Sequence, residues 1–446
     1  MPRSVRFIAA LTIVLGAAFA WAQSRDHPAE VDAWLEHVRA TYGGTTINLS
    51  VGSHPSVDAF RLMVDEFTRE TDINVEWDII STPNLRPNHL ALASAGSSPF
   101  DLWMVDGFYI SEYVAADTLF PVDHFTADTA LTPEWFDYGD ILPAYRQAIA
   151  SVDGVPFAVP TAGESRFIAY RKDLFAEHGI TPPQTTDELL AAAQYFQENV
   201  PGVHGFVSRA RTGGFFASGW LHVLYQFSDG WVDQATGEIL ADSQEVIDSL
   251  DYWIKLLRTG PADIANFTHE EASATFNAGN AALWFDATAI ATWLLDPDRS
   301  EVYDQVGFLP PPEGPKGRFG ALAGWNFAVP RLAQNPEAAW AFIVWMTGQY
   351  NAKTYLDNGG VLVRSSSLTD PAVTSEYPEM YSALIETFEA AAALSDRGLV
   401  WIPPTWLAFG VLRVAGDIGN RALLGDITPA QAANELAMEL EDLLGQ

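Results

Sequence analysis

Two carboxylates occur next to glycine at the ends of predicted elements, where a side chain can be accessible to another molecule. Glu164 follows Gly163 in the stretch PTAGESRFIAYRKDLF, between a turn and an apolar run. Asp106 follows the apolar run DLWMV, and Gly107 after it allows another group to approach the backbone closely. A carboxylate accepts short, charge-assisted hydrogen bonds and can bind two adjacent hydroxyl groups. This chemistry is typical of the recognition of hydroxyl-rich molecules, or of acid–base catalysis by a carboxylate pair.

Both positions also have a purely structural interpretation. Glu164 would then be a solvated turn residue or an ion-pair partner of Arg166. Asp106 and Gly107 would form an ordinary turn, since Asp-Gly is a common turn pair. The residues alone leave these alternatives open.

Other reactive patterns are absent from the sequence. There is no G-x-S-x-G nucleophile motif and no glycine-rich phosphate loop. The nine histidines form no H-x-H or H-x-x-x-H pair. The chain has no cysteine, which excludes disulfides, thiolate metal sites and a bacterial lipid anchor on cysteine. We therefore expect neither a metal nor a cofactor.

Composition restricts the partners of the chain. The formal net charge is −33, from 57 acidic and 24 basic side chains. A field of this sign repels phosphates and anionic lipids, so nucleic acids and membrane surfaces are not expected partners. With 446 residues, of which 48% are hydrophobic, the chain is long enough for two lobes with their own cores.

The N-terminus has the pattern of an export signal. Arg3 and Arg6 precede an apolar segment at 7–20, and the small residues of AWA stand before Gln23. The apolar segment is short for a membrane anchor, because a spanning helix needs about 20 apolar residues. We predict a signal peptide at 1–22 and an exported, soluble mature product in the periplasm.

Hydrophobic periodicity predicts an alternation of strands and helices. A leading helix within 23–44 places Val31, Trp34, Leu35 and Val38 on one face. Strands are predicted at 45–52, 73–80, 100–107 and 321–330, with the polar segment 81–89 as a loop. Further helices are predicted at 187–198, 243–258, 270–278, 336–348 and from Thr428 to the C-terminus. The alternation favours mostly parallel sheets covered by helices on both faces.

Four segments in a fixed order resemble a known family. They are GESRFIAYRKDLF, FNAGNAALWFDAT, VGFLPPPEGPKG with GWNFAVP, and AAWAFIVWMTG. Together, behind an export signal, they resemble the family 1 extracellular solute-binding proteins of bacterial ABC importers, a group that includes maltose-binding and polyol-binding proteins. The resemblance covers nearly all of the mature chain, except for the leading helix.

The resemblance implies an α/β, two-lobed periplasmic binding protein fold of type II. Each lobe would hold a mixed, mostly parallel sheet flanked by helices, with the ligand in a cleft between the lobes. The implied N-terminal lobe is 45–158 plus 326–363, and the implied C-terminal lobe is 159–325 plus 364–446. The chain would cross between them near Pro160, Ala323 and Val363.

The function implied by the resemblance is the binding of a sugar or polyol and its delivery to the membrane permease of an ABC importer. The protein would be a monomer and not an enzyme, and the form GESxxxxYRKDLF favours small polyols or simple sugars. Two alternatives stay open. One is a glycoside-active enzyme that uses Glu164 and Asp106 as paired carboxylates. The other is the capture of a different solute, such as ferric iron by clustered tyrosines.

Candidate ligand contacts follow from the resemblance and from positions after strands. Flat rings would stack on the apolar faces of a sugar, and polar groups would bind its hydroxyls. His54, Asn84 and Arg86 lie in the predicted loops after the first two strands. The full set of candidates is Glu164, Asp106, Trp325, Asn326, Trp220, Asp286, Trp406, Arg86 and His54.

Overall fold

The computed structural model describes residues 27–361, 363–403 and 410–445. The predicted signal peptide and Trp406 lie outside the described residues. The strands are β1 (Thr46–Gly52), β2 (Asn74–Ile80), β3 (Leu102–Asp106), β4 (Ser151–Val152), β5 (Val155–Pro156), β6 (Val159–Glu164), β7 (Arg166–Arg171), β8 (His204–Val207), β9 (Ala281–Ala287), β10 (Val306–Leu309) and β11 (Ala323–Ala328).

Helices surround the strands throughout the chain. They are α1 (Ala29–Tyr42), α2 (Pro55–Thr71), α3 (Thr82–Ser94), α4 (Ile110–Ala115), α5 (Asp123–Thr126), α6 (Pro143–Ala148), α7 (Lys172–His178), α8 (Thr186–Asn199), α9 (Gly214–Phe227), α10 (Gln244–Leu257), α11 (His269–Asn277), α12 (Ala291–Leu295), α13 (Pro336–Thr347), α14 (Ala352–Asp357), α15 (Ser365–Thr369), α16 (Pro371–Thr374), α17 (Pro378–Asp396), α18 (Val411–Leu424) and α19 (Pro429–Leu444). Short 3-10 helices lie between several of them.

Two sheets form the two lobes. The first has five strands in the order β2-β1-β3-β11-β6, and the second has four in the order β10-β7-β9-β8. In the first sheet β1 is parallel to β2 and β3, whereas β11 is antiparallel to β3 and β6. In the second sheet β8 is parallel to β9, whereas β7 is antiparallel to β9 and β10. Both sheets are therefore mixed. They contain more antiparallel pairs than the sequence predicted, because the strands β6, β7, β10 and β11 all pair only in antiparallel fashion.

The chain changes lobes between strands rather than within them. β6 belongs wholly to the first sheet and β7 to the second, so the first crossing falls at Ser165 and not near Pro160. β11 likewise lies in the first sheet from Ala323 onward. Arg364 still binds Asp140 and the Thr347 carbonyl of the first lobe, and α17 packs on β7 and β10. α17 also contacts α6, so it packs against both lobes.

The leading helix is part of the first lobe. α1 buries the predicted face of Val31, Trp34, Leu35 and Val38 against α2 and α13. The Trp34 indole N–H donates to the carbonyl of Leu131 at 3.0 Å, which fixes the helix on the lobe. The periodicity of apolar residues thus predicted this packing correctly.

Local signals set several helix starts. Three helices begin with a capping box, in which the N-cap side chain and the residue three positions later bind each other's backbone N–H groups: Thr185 with Glu188, Thr268 with Glu271, and Thr428 with Gln431. The predicted loop at 81–89 is wrong, because α3 begins at Thr82 and contains Pro87. Burial of Leu85 and His89 against β1 and β3 outweighs the unfavourable proline.

Candidate ligand-binding site

A cleft of about 680 Å³ lies between the two lobes, where β6 ends and β7 begins. We call it the main cleft; its lining includes His54, Glu164, Arg209, His269, Trp293 and Trp325. A second compartment of about 340 Å³ shares Glu164 and Arg209 with it and is also lined by Arg166, Phe215 and Trp401. A third compartment of about 320 Å³ shares Thr82 and Trp325 and is also lined by Arg86, Asp106 and Tyr109.

Glu164 lies at the last position of β6, opposite Ala323 of β11. Its Oε1 is 2.9 Å from Nε2 of His54, the residue that caps the start of α2. The other ring nitrogen of His54 accepts the backbone N–H of Ser56 at 3.2 Å. This assigns the proton to Nε2, so His54 donates to Glu164 and fixes its carboxylate at the wall of the main cleft.

Glu164 is ionised at neutral pH. Burial would raise the pKa of its carboxyl group. The hydrogen bond from His54, together with the positive charges of Arg209 and Arg166, outweighs burial and holds the pKa below its usual range. The cleft therefore presents a fixed, charged hydrogen-bond acceptor.

Asp106 ends β3 and faces the third compartment. Its Oδ1 accepts the backbone N–H of Phe108 at 3.0 Å, so it also forms the turn expected for Asp-Gly. Burial raises the pKa of Asp106 to about 7; the Phe108 N–H lowers it and the nearby charge of Glu164 raises it further. Burial therefore raises the pKa of Asp106, whereas the pKa of Glu164 is lowered, although both residues border cavities between the lobes.

Asp106 is expected to make the folded protein less stable as the pH rises from about 4 to about 7. The folded state keeps a proton on this carboxyl, with its pKa of about 7, which the unfolded chain has already released near 3.8. Stability from that proton is complete below the lower value and is lost as the pH rises through the higher one.

Thermal unfolding midpoints of the wild type and Asp106→Asn, measured between about pH 4 and pH 8, check this dependence. Asparagine still accepts the N–H of Phe108 but does not titrate, so the stability of the variant should fall less than that of the wild type as the pH rises. Equal pH profiles of the two proteins would contradict the assigned pKa.

Trp325 lines both the main cleft and the third compartment, whereas Arg86 lines only the third compartment. The half-buried Trp325 ring lies 5.7 Å from the His54 ring, centroid to centroid, and borders both cavities. Arg86 is in α3 and not in a loop; its Nη1 is 2.6 Å from Glu112, and its guanidinium lies 4.6 Å above the Tyr109 ring. Trp325 offers an accessible ring, whereas Arg86 is already paired.

Three candidates do not reach the cleft. Trp220 is fully buried in α9, where its indole N–H donates to Ser249 at 2.9 Å. Asn326 is fully buried, and its amide donates to the carbonyls of Val105 and Ile149 at 3.3 and 2.9 Å. A register shift between Trp325 and Asn326 separates the two neighbours. These positions correct the prediction that Trp220 and Asn326 contact a ligand.

Asp286 is the third of these candidates, and it is also fully buried. Its carboxylate receives Nε of Arg209 at 3.0 Å and a short bond from Nη2 of the same guanidinium. Nη1 of Arg166 lies 3.6 Å from Oδ1 of Asp286. Asp286 therefore pairs with Arg209 and Arg166 from below the cleft surface, and it does not itself line the cleft.

Several cleft residues were missed from the sequence. Arg209, His269 and Trp293 line the main cleft, and Phe215 and Trp401 line the second compartment. Arg209 follows the carboxyl end of β8, and ligands of open α/β sheets bind beyond such ends. The same rule that indicated Asp106 would have indicated Arg209.

The fold and the cleft define a two-lobed binding protein with its ligand site between the lobes. The chain belongs to the bacterial extracellular solute-binding protein family, whose model matches residues 52–353. It is 27% identical to the mannitol-binding protein of Pseudomonas aeruginosa over 317 residues, which are 70% of this chain and 70% of that protein. It is 22% identical to the erythritol/L-threitol-binding protein of Mycolicibacterium smegmatis over 71% of this chain and 69% of that protein.

Solved structures share the architecture. The ABC transporter solute-binding protein of Agrobacterium radiobacter K84 in complex with ribitol has a TM-score of 0.78 and 24% identity, with 90% of this chain and 99% of that chain covered. Maltose-bound MalE3 of T. maritima has a TM-score of 0.75 and 25% identity, with 90% and 100% covered. The type II periplasmic binding fold is confirmed. In the part of the chain that the structure describes, no helix has the length and apolar character required to cross a membrane.

Proposed function

We propose that this chain binds a neutral sugar or polyol in the periplasm, as an exported monomer, and delivers it to the permease of an ABC importer. The observation that carries the proposal is the ionised Glu164, oriented by His54 beside the accessible ring of Trp325 in an interlobe cleft. A carboxylate binds hydroxyl groups and a ring packs on C–H faces, so the pair suits a polyol. The similarity to mannitol-, ribitol- and maltose-binding proteins supports the same ligand class.

Contacts from both lobes connect binding to closure. His54 and Trp325 belong to the first lobe, whereas Arg209 and Trp293 belong to the second. A ligand that contacts both sides has a higher affinity for the closed arrangement and shifts the population toward it. Such hinge closure would give the permease a distinct shape to recognise.

A panel of D-mannitol, ribitol, erythritol, D-tagatose, maltose and D-glucose tests the proposal by thermal shift and calorimetry. At least one member should raise the unfolding midpoint and, in solution scattering, reduce the radius of gyration. Sodium gluconate and glycine serve as charged controls. If no member of the panel binds, the proposed ligand class is wrong.

The divergent pKa values of Glu164 and Asp106 are the one observation that favours the enzyme alternative, because acid–base pairs are built in this way. Glu164 is bound to His54, however, and the family consists of solute-binding proteins. We therefore propose that the protein is not an enzyme. Prolonged incubation with maltose followed by chromatography should show no glucose, and enzyme-dependent release of glucose would support the alternative.

A further inference from the structure

Hydrogen bonds hold both the side chain of Arg209 and its neighbouring residues at the boundary between the main cleft and the second compartment. Its backbone neighbours are tied down, since Ser208 donates its hydroxyl to Phe285 at 2.7 Å and the Ala210 N–H donates to Phe267 at 2.9 Å. Its side chain gives Nε and Nη2 to the buried carboxylate of Asp286. The orientation of the guanidinium is therefore set before any ligand arrives.

One edge of this guanidinium remains available. A guanidinium carries five N–H donors, and Asp286 occupies those on one side of Arg209. Among the described residues, Nη1 of Arg209 has no hydrogen-bond partner. The side chain borders both the main cleft and the second compartment, so its free donors are within reach of a molecule in either cavity.

Glu164 lies across the cleft from Arg209 at the edge of the first lobe. Both groups line the main cleft and the second compartment. Burial raises the pKa of Glu164, whereas the His54 contacts and then the positive charge of Arg209 lower it. Within the described residues they form no ion pair, so the guanidinium and the carboxylate face a shared space. The site thus presents a fixed donor and a fixed acceptor on opposite sides.

A hydroxyl group matches this arrangement because it carries one donor hydrogen and two acceptor lone pairs. It can donate to Glu164 and accept from Arg209 at the same time. A ligand carboxylate at this place would be repelled by Glu164, and a ligand ammonium would be repelled by Arg209 and has no lone pair to accept its N–H groups.

We infer that Arg209 is the second lobe's hydrogen-bond donor to the ligand, that Asp286 positions it without touching the ligand, and that Arg209 and Glu164 together select a neutral hydroxyl group. This inference rests on the proposed function and names the group that the site recognises. Asp286 is fully buried, and a buried ion pair adds little net stability. What it supplies is the orientation of Arg209.

The test combines protein variants with deoxy ligands. The ligand is the tightest-binding member of the panel, together with its monodeoxy derivatives, measured by calorimetry. For the wild type, loss of one particular hydroxyl should weaken binding by about 10- to 150-fold, the range of a hydrogen bond to a charged group. In Arg209→Gln the same deletion should weaken binding by a factor several-fold smaller than in the wild type, because one of the hydroxyl's two charged partners is gone and only Glu164 remains.

Matched variants separate the donor from other roles. Arg209→Lys keeps the charge beside Asp286 but lacks the N–H donors on two sides of a guanidinium. The variant should therefore fold, and it should bind the ligand at least about tenfold more weakly. Arg421→Gln is the control, because Arg421 is paired with Glu435 and lines none of the three cavities; the full loss of affinity for the deoxy ligand should remain. Asp286→Asn should reduce the factor by which removal of the hydroxyl weakens binding (the deoxy cost), although Asp286 does not line the cleft. If that variant does not fold, Asp286→Glu, which retains the charge but displaces it, provides the same measurement.

The outcomes distinguish this inference from the proposed function. If a panel member binds and Arg209→Gln retains both the affinity and the full deoxy cost, the inference is wrong and the proposed function stands. If Asp286→Asn and Asp286→Glu both leave the deoxy cost at its wild-type value, the positioning role is wrong. If a sugar acid or amino sugar binds more tightly than its neutral counterpart, the selection of a neutral hydroxyl is wrong. If no panel member binds, the proposed function and this inference both fail.

Discussion

Replacing Glu164 with alanine is expected to weaken binding of the tightest panel ligand by about 1.5–3 kcal/mol, the range for a hydrogen bond to a charged group. The physical reason is the loss of the ionised acceptor that His54 fixes at the wall of the main cleft. The substitution also leaves Nε2–H of His54 without its acceptor. Calorimetry of the purified variant gives the change directly.

Two further variants make this expectation specific. Glu164→Gln keeps the shape and one acceptor oxygen but removes the charge, so its loss of affinity should be intermediate. Asp58→Ala removes another carboxylate that lines the main cleft, with a side chain that is 74% exposed. An exposed carboxylate is already well solvated, and we expect its removal to change affinity little. Wild-type affinity in Glu164→Ala would remove Glu164 from the site.

Replacing Trp220 with alanine is expected to destabilise the protein by about 3–5 kcal/mol and to leave ligand affinity unchanged. The ring is fully buried, lies 5.0 Å from the Trp231 ring between centroids, and has its indole N–H bonded to Ser249. Its removal creates a large cavity in the second lobe, and Trp220 lines none of the three cavities between the lobes. Urea unfolding and calorimetry of the same preparation measure both quantities.

Trp325→Ala is the matched control, because it deletes the same side chain from the cleft. The Trp325 ring is half-buried and borders the main cleft, so we expect lower affinity, less ligand-induced quenching of fluorescence and a smaller loss of stability. If Trp220→Ala weakens binding while its stability stays near that of the wild type, then Trp220 is a ligand contact and the sequence-based prediction was right.

The positions of individual site residues show how far sequence reasoning extends. Glu164, Asp106, His54 and Trp325 do border the cavities between the lobes. Asp286 was expected to contact the ligand, but it is fully buried beneath the surface of the cleft. A carboxylate at the end of a strand can either contact a ligand or pair with a buried arginine. For Asp286 the choice depends on the position of Arg209, which is 77 residues away along the chain.

Register and strand face explain other errors. Trp325 and Asn326 are neighbours in GWN, yet one borders the cleft and the other binds Val105 and Ile149 in the interior. Successive side chains of a strand point to opposite faces, so two adjacent residues seldom share a site. For α3, proline and polar residues predicted a loop, whereas contacts with β1 and β3 stabilise a helix.

By itself, the sequence determined the features that depend on neighbouring residues. These are the strands β1, β2, β3 and β11, the helices α1, α8, α10, α11, α13 and α19, the buried face of α1, and the family to which the chain belongs. The tertiary structure alone decided which side chains meet: His54 with Glu164, Asp286 with Arg209, and Trp220 with the core. The physical reason is that helix and strand formation follows local periodicity and capping, whereas a binding site is made by segments far apart in the chain, and their register and packing depend on the whole fold.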